Sequence, residues 1–267
     1  MTGSFSASDI NLPEGYGLRH FAEIDSTNDE AKRLAAAGEA GPVWIVAERQ
    51  TAGRGRRGRA WVSPTGNLMC TLLVRPACSP SKAGELAFVA GLALHEAATH
   101  LLPHFPSDKI TLKWPNDLLV SGRKASGILL ESESDGRSNV SWLAVGIGLN
   151  LAHFPTDTPY PATCLGDEGG MVPSVTDALT ALAMGFDRWY QRWQNDGFGA
   201  IREAWLFRAH GVGGAIVARL ADEEIEGVFE GIEPDGALRL RVAGGAVRLV
   251  AAGDVFFGRR LQEGRKE

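Results

Sequence analysis

Apolar positions follow three different spacings along the chain, and these spacings predict its elements. Continuous apolar runs at 43–47 and 68–74 predict buried strands. Between 79 and 101 the apolar residues recur every three or four positions, which predicts a long helix with one apolar face. Beyond Gly214 the period falls to two, because Leu238, Leu240 and Val242 alternate with arginines. We therefore expect a large first domain and a small β domain after it.

Further strands and helices complete the first domain. A short strand is expected at 21–25, and a helix follows over 30–37, with Ser26 and Thr27 as N-cap candidates. Strands over 110–114, 128–131 and 140–145 are separated by turn signals, among them Asp135-Gly136. A proline-rich loop is expected over 152–173, and a helical region follows to about 210. Hairpins mixed with helices predict an α+β fold, in which helices pack on one face of a mixed β-sheet.

This pattern predicts three segments: a flexible lead-in over 1–20, the main domain over 21–212 and a small β-barrel over 213–267. Composition adds the protein's class: 44% of the 267 residues are hydrophobic and 22% are charged, as in a globular protein. The net charge of -5 argues against general nucleic-acid binding. No apolar run approaches the roughly 20 residues of a membrane span, and residues 1–11 lack a signal-peptide core. Three unpaired cysteines favour a reduced, cytoplasmic protein.

The segment 52–61, which we call the glycine–arginine loop, interleaves three glycines with four arginines. Three interpretations compete: a basic surface loop, a dinucleotide-binding turn and a lid over a small anion. The glycine spacing matches a dinucleotide fingerprint, but that site needs a helix after the glycines, and here turn residues and a strand follow. On an acidic chain, guanidinium groups beside flexible backbone favour the lid, provided that the rest of the chain supplies partners.

Other motifs supply those partners. In chain order the sequence contains Ser26-Thr27-Asn28, Gly53-Arg54-Gly55-Arg56-Arg57-Gly58-Arg59-x-Trp61, Lys113-Trp114-Pro115-Asn116-Asp117, Arg123-Lys124-x-x-Gly127-Ile128 and Gly146-x-Gly148-x-Asn150. This set closely resembles the biotin–protein ligases. The resemblance implies a catalytic domain like that of the class II synthetases, followed by a C-terminal SH3-like β-barrel. The family's bifunctional members carry an N-terminal DNA-binding domain before these motifs. This sequence has no room for such a domain before its first predicted helix, so the resemblance implies the monofunctional type.

The resemblance also implies a reaction and a set of contacts. Such ligases join biotin to ATP as biotinyl-5′-adenylate with Mg²⁺, and then transfer the biotinyl group to a lysine of a biotin carboxyl carrier protein. The residues implied to bind biotin are Ser26, Thr27, Asn28, Gln50, Gly53, Arg54, Gly55, Arg56, Lys124 and Gly127. Those implied on the ATP or adenylate side are Arg56, Arg57, Arg59, Trp61, Lys113, Asn116, Asp117, Lys124 and Asn150. Lys124, Arg56 and Asp117 are the implied catalytic residues, and Asp117 is the implied Mg²⁺ ligand.

The chemistry explains these residue types. Cationic side chains can stabilise the charge that develops when a carboxylate meets a phosphate, and a carboxylate can hold Mg²⁺ beside phosphates. Ser, Thr and Gln side chains suit the uncharged ureido ring of biotin. Two alternatives stay open: a lipoate or octanoate ligase or transferase of related fold, and a non-catalytic biotin-binding regulator. Either a monomer or a homodimer fits the sequence, and neither nucleic acid nor membrane is expected as a partner.

Overall fold

The computed structural model describes residues 9–158 and 160–257, and a seven-stranded mixed sheet forms the larger part. Its order is β1-β2-β3-β7-β6-β5-β4; β1 and β2 are parallel, and every other neighbouring pair is antiparallel. The strands are β1 (Gly17–Ile24), β2 (Val43–Gln50), β3 (Leu68–Val74), β4 (Ile110–Lys113), β5 (Asp117–Val120), β6 (Arg123–Ser134) and β7 (Val140–Leu149). The predicted α+β class with a mixed sheet is therefore confirmed.

Helices cover both faces of this sheet, so the prediction of one covered face is wrong. The helices are α1 (Thr27–Ala36), α2 (Pro80–Gly84), α3 (Leu86–Leu101), α4 (Leu165–Gly169), α5 (Val175–Asp196) and α6 (Phe198–Phe207). Successive side chains of a strand point to opposite faces. Ile45 therefore packs with Ala31 of α1 in one cluster, whereas Trp44 and Val46 join the larger cluster formed with α3 and α5. The short alanine stripe of α1 packs on the second face over β2, β3 and β7.

Other predicted boundaries also shift. β1 begins at Gly17, so a lead-in that extends to residue 20 is wrong; residues 1–8 of that segment lie outside the described residues. The helix predicted over 79–101 is divided into α2 and α3, and the region predicted from 175 to 210 breaks at Gly197, which has a φ of 74°. The segment predicted as a loop over 152–173 contains α4. None of the helices within the described ranges is both long and apolar enough to span a membrane.

The C-terminal part forms a separate antiparallel sheet of the order β11-β10-β9-β8-β12. Its strands are β8 (Ala215–Arg219), β9 (Glu224–Ile232), β10 (Leu238–Arg241), β11 (Val247–Val250) and β12 (Asp254–Phe257). Residues 258–267 of the predicted barrel lie outside the described residues. The indole nitrogen of Trp114 donates to the carbonyl of Gly236 at 3.0 Å, and Arg202 donates to the carbonyl of Ile232. These contacts fix the small sheet against the main domain.

Candidate active site

A cavity of about 330 Å³ collects most of the residues that the motifs single out. The strand register explains how distant motifs meet there. Asp117 lies opposite Lys113 and Gly127 on its two neighbouring strands, and Gly127 lies opposite Gly148. The predicted site residues that line the cavity are Ser26, Thr27, Asn28, Gln50, Arg54, Gly55, Arg56, Arg59, Trp61, Lys113, Asn116, Asp117, Lys124, Gly127 and Asn150. Gly53 and Arg57 do not line it.

One end of the cavity is an uncharged hydrogen-bonding cluster. Gln50 accepts hydrogen bonds at Oε1 from the backbone N–H of Thr27 at 2.8 Å and from its hydroxyl at 3.1 Å. The Gln50 Nε2 atom donates to the Ser63 hydroxyl at 2.9 Å. The Thr71 hydroxyl lies 2.8 Å from the Thr27 hydroxyl and 2.6 Å from the amide oxygen of Asn28. These interlocking bonds hold the polar groups in fixed positions, which a neutral polar ligand requires.

Ser26 belongs to this end, although its sequence position favours helix capping. It stands at the N-cap position of α1 with extended backbone angles, but its side chain makes no capping hydrogen bond. The residue is 3% exposed and lines the cavity. The capping interpretation of its side chain is therefore wrong.

Asn28 and Arg54 are held mainly by other protein groups. Asn28 Nδ2 donates to Glu131 at 2.6 Å, while Arg54 forms two hydrogen bonds with the Asp29 carboxylate, at 2.5 and 2.7 Å. The hydrogen bonds from Arg54 lower the pKa of Asp29 and outweigh the effect of burial. The Arg54–Asp29 pair thus ties the start of the glycine–arginine loop to α1.

Glycines let the Trp61 indole lie close to the sheet. A Cβ atom on Gly127 would lie 3.2 Å from the Trp61 ring and 3.4 Å from Lys124 Nζ, and a Cβ on Gly148 would overlap the indole. A Cβ on Gly53 would lie 2.7 Å from both the Trp61 carbonyl and the Ser63 hydroxyl. Gly53 therefore serves the packing of the loop behind the cavity wall.

The opposite end of the cavity is charged. Lys124 Nζ lies 2.6 Å from Asp117 Oδ1, and only 15% and 11% of the two side chains are exposed. The contact is an ion pair rather than an aligned hydrogen bond. The Lys124 ammonium also lies 5.7 Å from the centre of the Trp61 ring and 5.3 Å from that of Tyr160. This places a partly desolvated cation next to a carboxylate.

Lys113 is a second partly buried cation at this end. Its Nζ lies 5.3 Å from the centre of the Tyr160 ring and 5.6 Å from that of Phe256. No carboxylate of the described chain lies within 4.0 Å of it. Burial lowers the pKa of Lys113, while the nearby Asp117 charge opposes that shift. A cation in this position favours an anionic ligand.

The glycine–arginine loop closes on a carboxylate from the C-terminal sheet. Arg57 Nη1 lies 3.5 Å from Asp254, and Arg59 forms a shorter hydrogen bond with the same carboxylate. Arg56 donates to Asn116 at 3.2 Å and to the Gly253 carbonyl at 3.3 Å. Burial alone would raise the pKa of Asp254, but the Arg59 hydrogen bond and the charges of the three arginines lower it.

The cavity also contains residues that the sequence did not single out, among them Tyr160, Asp254 and Phe256. Tyr160 lies in the proline-rich segment, where no single residue was assigned. Asp254 is 195 positions from Arg59 of the glycine–arginine loop, and the Phe256 ring lies 5.6 Å from Lys113 Nζ, so neither residue is near its contact in the sequence. An acidic residue at the start of a short strand is the only signal that the sequence offers for Asp254, and it does not point to the loop.

Among the described residues, two oxygen atoms at the charged end have no hydrogen-bond partner, although one of them also pairs with the Lys124 ammonium. They are Asn150 Oδ1, which belongs to a residue that is 2% exposed, and Asp117 Oδ1. Asn150 is otherwise fixed, because its Nδ2 donates to the Thr163 carbonyl at 3.0 Å. Within the described ranges no group of three or more His, Cys, Asp and Glu side chains could hold a metal ion. Mg²⁺, however, often takes one or two carboxylates and completes its shell with substrate phosphates and water, and these two oxygens fit that arrangement.

Both parts of the chain match models of known protein families. Residues 21–150 match the model of the biotin/lipoate A/B protein ligase family, and residues 213–258 match that of the biotin protein ligase C-terminal domain. A biotin–[acetyl-CoA-carboxylase] ligase of Paracoccus denitrificans is 45% identical over 244 residues, which cover 89% of this chain and 99% of that protein. A ligase of the same name from Mycobacterium tuberculosis is 32% identical, with 94% and 93% covered.

Solved structures agree with these matches. The biotin protein ligase of Aquifex aeolicus, in complex with biotin and ATP, superposes with a TM-score of 0.77 at 26% identity. That match covers 91% of this chain and 99% of the other. The biotin protein ligase of Leishmania major, in complex with biotinyl-5-AMP, gives a TM-score of 0.63, also at 26% identity, with 88% and 99% covered.

Proposed function

The chain belongs to the biotin/lipoate A/B protein ligase family, and we propose that it is an ATP-dependent biotin–protein ligase. It would form biotinyl-5′-adenylate and transfer the biotinyl group to a lysine of a biotin carboxyl carrier protein. One observation carries this proposal: a single cavity joins a fixed, uncharged hydrogen-bonding cluster to a cationic end. Biotin has a neutral ureido ring at one end and a carboxylate at the other, and ATP brings the phosphates.

In the first step, a biotin carboxylate oxygen attacks the α-phosphorus of ATP and pyrophosphate leaves. Both reactants are anions, so their approach needs positive charge that is already in position. Lys124 and Arg56 are proposed to supply it at the reacting atoms, and Lys113 and Arg59 along the phosphates. Thr27 and Gln50 would hold the ureido ring, with Ser26 beside them.

Mg²⁺ would shield the phosphate charge, and the residues proposed to hold it are Asn150, through its unpartnered Oδ1, and Asp117, through the carboxylate that also pairs with Lys124. Asp117 also lies 2.6 Å from the Lys124 ammonium and orients it. Trp61 and Tyr160 limit the access of water to this end, which protects a mixed anhydride from hydrolysis.

In the second step, the ε-amine of the carrier lysine attacks the carbonyl carbon of the adenylate. An amide forms and AMP leaves. The attacking amine must be neutral, although the reference pKa of a lysine is about 10.4. Asp117 is the proposed proton acceptor, because it is a carboxylate at the charged end of the cavity.

The decisive experiment offers the protein ATP, Mg²⁺ and an unmodified carrier domain together with biotin, lipoate or octanoate, and measures the carrier's mass. We expect a biotin adduct that requires ATP. An adduct from lipoate or octanoate alone would identify the related acyl ligases, and an adduct from a preactivated acyl donor without ATP would identify a transferase. Tight binding of biotin without any adduct would identify a regulator.

A further inference from the structure

A buried carboxylate outside the cavity binds two separate parts of the chain, the turn between β5 and β6 and the segment before α4. Only 4% of the Glu168 side chain, on α4, is exposed. It accepts hydrogen bonds from the Thr163 hydroxyl at 2.8 Å, Arg123 Nη2 at 2.7 Å and the Ser121 hydroxyl at 3.1 Å. Burying a charge is unfavourable unless it is paired and hydrogen-bonded. These three donors therefore explain how the Glu168 carboxylate can be buried. They do not explain what the carboxylate does for the rest of the structure.

The contact with Thr163 leads from Glu168 into the cavity. Thr163 is fully buried, and its backbone N–H donates to the Lys124 carbonyl at 2.9 Å. Its own carbonyl accepts from Asn150 Nδ2 at 3.0 Å. The Lys124 N–H donates to the Pro161 carbonyl at 2.9 Å, so both backbone polar groups of Lys124 are bound by the segment 161–163.

We infer that Glu168 is a positioning residue for the nucleotide end of the site. It holds the segment 161–163 against Lys124 and Asn150, and this segment carries Tyr160 over the ammonium groups of Lys113 and Lys124. We call the contacts of Glu168 with Thr163, Arg123 and Ser121 the Glu168 clamp. The inference rests on the proposed function only in assigning the charged end to ATP.

A surface ion pair does not explain the clamp. Arg123 is 45% exposed, and exposed ion pairs contribute little to stability, at most about 1 kcal/mol. The hydroxyl of Thr163, by contrast, has no exposure to water, and without Glu168 it would lose its acceptor. The main effect of the Glu168 carboxylate is therefore its bond to buried Thr163, in the segment 161–163 that borders the cavity.

Three substitutions test the clamp. Thr163→Val removes the hydroxyl and keeps the shape, Thr163→Ser restores the hydroxyl, and Glu168→Gln removes the charge. Glu96→Gln is the matched control, because Glu96 also accepts from an arginine, Arg188 at 2.7 Å, but lies on α3. Hydrogen exchange of the peptides that cover 121–124 and 160–165 reports the clamp without any need for turnover.

In Thr163→Val, we expect exchange of the Lys124 and Thr163 amides to quicken about tenfold, as the loss of one buried hydrogen bond implies. The KM for ATP should rise about tenfold, while the affinity for biotin alone changes less than twofold, because Thr27 and Gln50 are not attached to the clamp. Glu168→Gln should cause smaller increases in exchange and KM, because its amide oxygen can still accept from Thr163 but no longer carries the charge that pairs with Arg123. Thr163→Ser and Glu96→Gln should retain wild-type exchange and KM values.

Two results would overturn the inference. One is wild-type exchange and KM for ATP in both variants. The other is a fall in kcat and in melting temperature at unchanged KM, which would show a merely structural role. If the wild-type protein transfers no biotin, the proposed function fails, but the exchange measurement still decides whether Glu168 holds the segment on Lys124.

Discussion

At the scale of single residues, the Lys124–Asp117 pair is the contact on which the proposed chemistry depends most. Replacing Lys124 with Met keeps the apolar stem against Trp61 but removes the ammonium that lies 2.6 Å from Asp117. We expect adenylate formation to slow by roughly 10²–10³-fold, the usual loss when one charge-stabilising group is removed. Biotin-dependent exchange between ATP and pyrophosphate measures this step. Lys109→Met, at an exposed lysine outside the cavity, should leave the rate unchanged.

Single residues also show how far a sequence motif can be interpreted. Through the family resemblance that they carry, the motifs implied that Thr27, Gln50, Lys124 and Asp117 belong to one site, and all four line the same cavity. They did not predict that Arg54 would be paired with Asp29, since a loop arginine can reach several carboxylates. Choosing among such partners requires the three-dimensional positions of the backbone, which the spacing of a motif does not contain.

At the scale of elements, the glycine–arginine loop lies between the main domain and the C-terminal sheet. Arg56 is its most enclosed guanidinium, and burial lowers its pKa although Asp254 and Asp117 oppose the shift. Arg56→Gly should detach the loop from Asn116 and Gly253, so that adenylate escapes and labels lysines of unrelated proteins. Free adenylate and biotin on a bystander protein are the measurements.

Arg57→Gly is the matched comparison for this loop. Arg57 has a φ of 57°, which glycine adopts readily, and its side chain does not line the cavity. We expect that variant to retain adenylate far better than Arg56→Gly. Equal leakage from both variants would mean that the total charge of the loop, rather than the contacts of Arg56, holds the ligand.

Elements with a regular apolar pattern could be predicted, and those held by tertiary contacts could not. β3 occupies the predicted residues 68–74 because seven consecutive buried side chains leave a clear apolar run. α4 has five residues and one fully buried apolar side chain, Leu165, so no period is visible. Its position depends on Glu168 and on backbone bonds from Leu165 and Gly166 to Asn150 and Leu151. These contacts are invisible in a local pattern.

At the scale of the whole molecule, the two sheets share one site. The alternation of Leu238 and Leu240 with arginines predicted a small β domain, but its role stayed open. The structure brings Asp254 and Phe256 of that domain to the cavity, while Trp114 of the main domain binds Gly236. Docking of this kind depends on the complementarity of two folded surfaces. A local sequence pattern therefore cannot predict it.

Stability of the whole molecule should depend on pH through His95 of α3. Its Nε2 lies 3.1 Å from the Ile110 carbonyl, and burial, with the nearby charge of Arg208, lowers its pKa from 6.5 to about 4. The folded state therefore disfavours the protonated ring. Stability is complete above pH 6.5, where the ring is neutral in both states, and falls as the pH drops toward 4, because the unfolded chain binds the proton more readily.

His95→Gln keeps a side-chain donor for the Ile110 carbonyl and does not titrate. A shift from 6.5 to about 4 corresponds to roughly 3 kcal/mol, so we expect the variant to lose less unfolding free energy than the wild type between pH 6.5 and 4, by about 2–3 kcal/mol. Urea unfolding at several pH values measures the difference. His100→Gln, at an exposed position of the same helix, should follow the wild-type curve. Parallel curves for His95→Gln and wild type would show that other groups cause the loss of stability in acid.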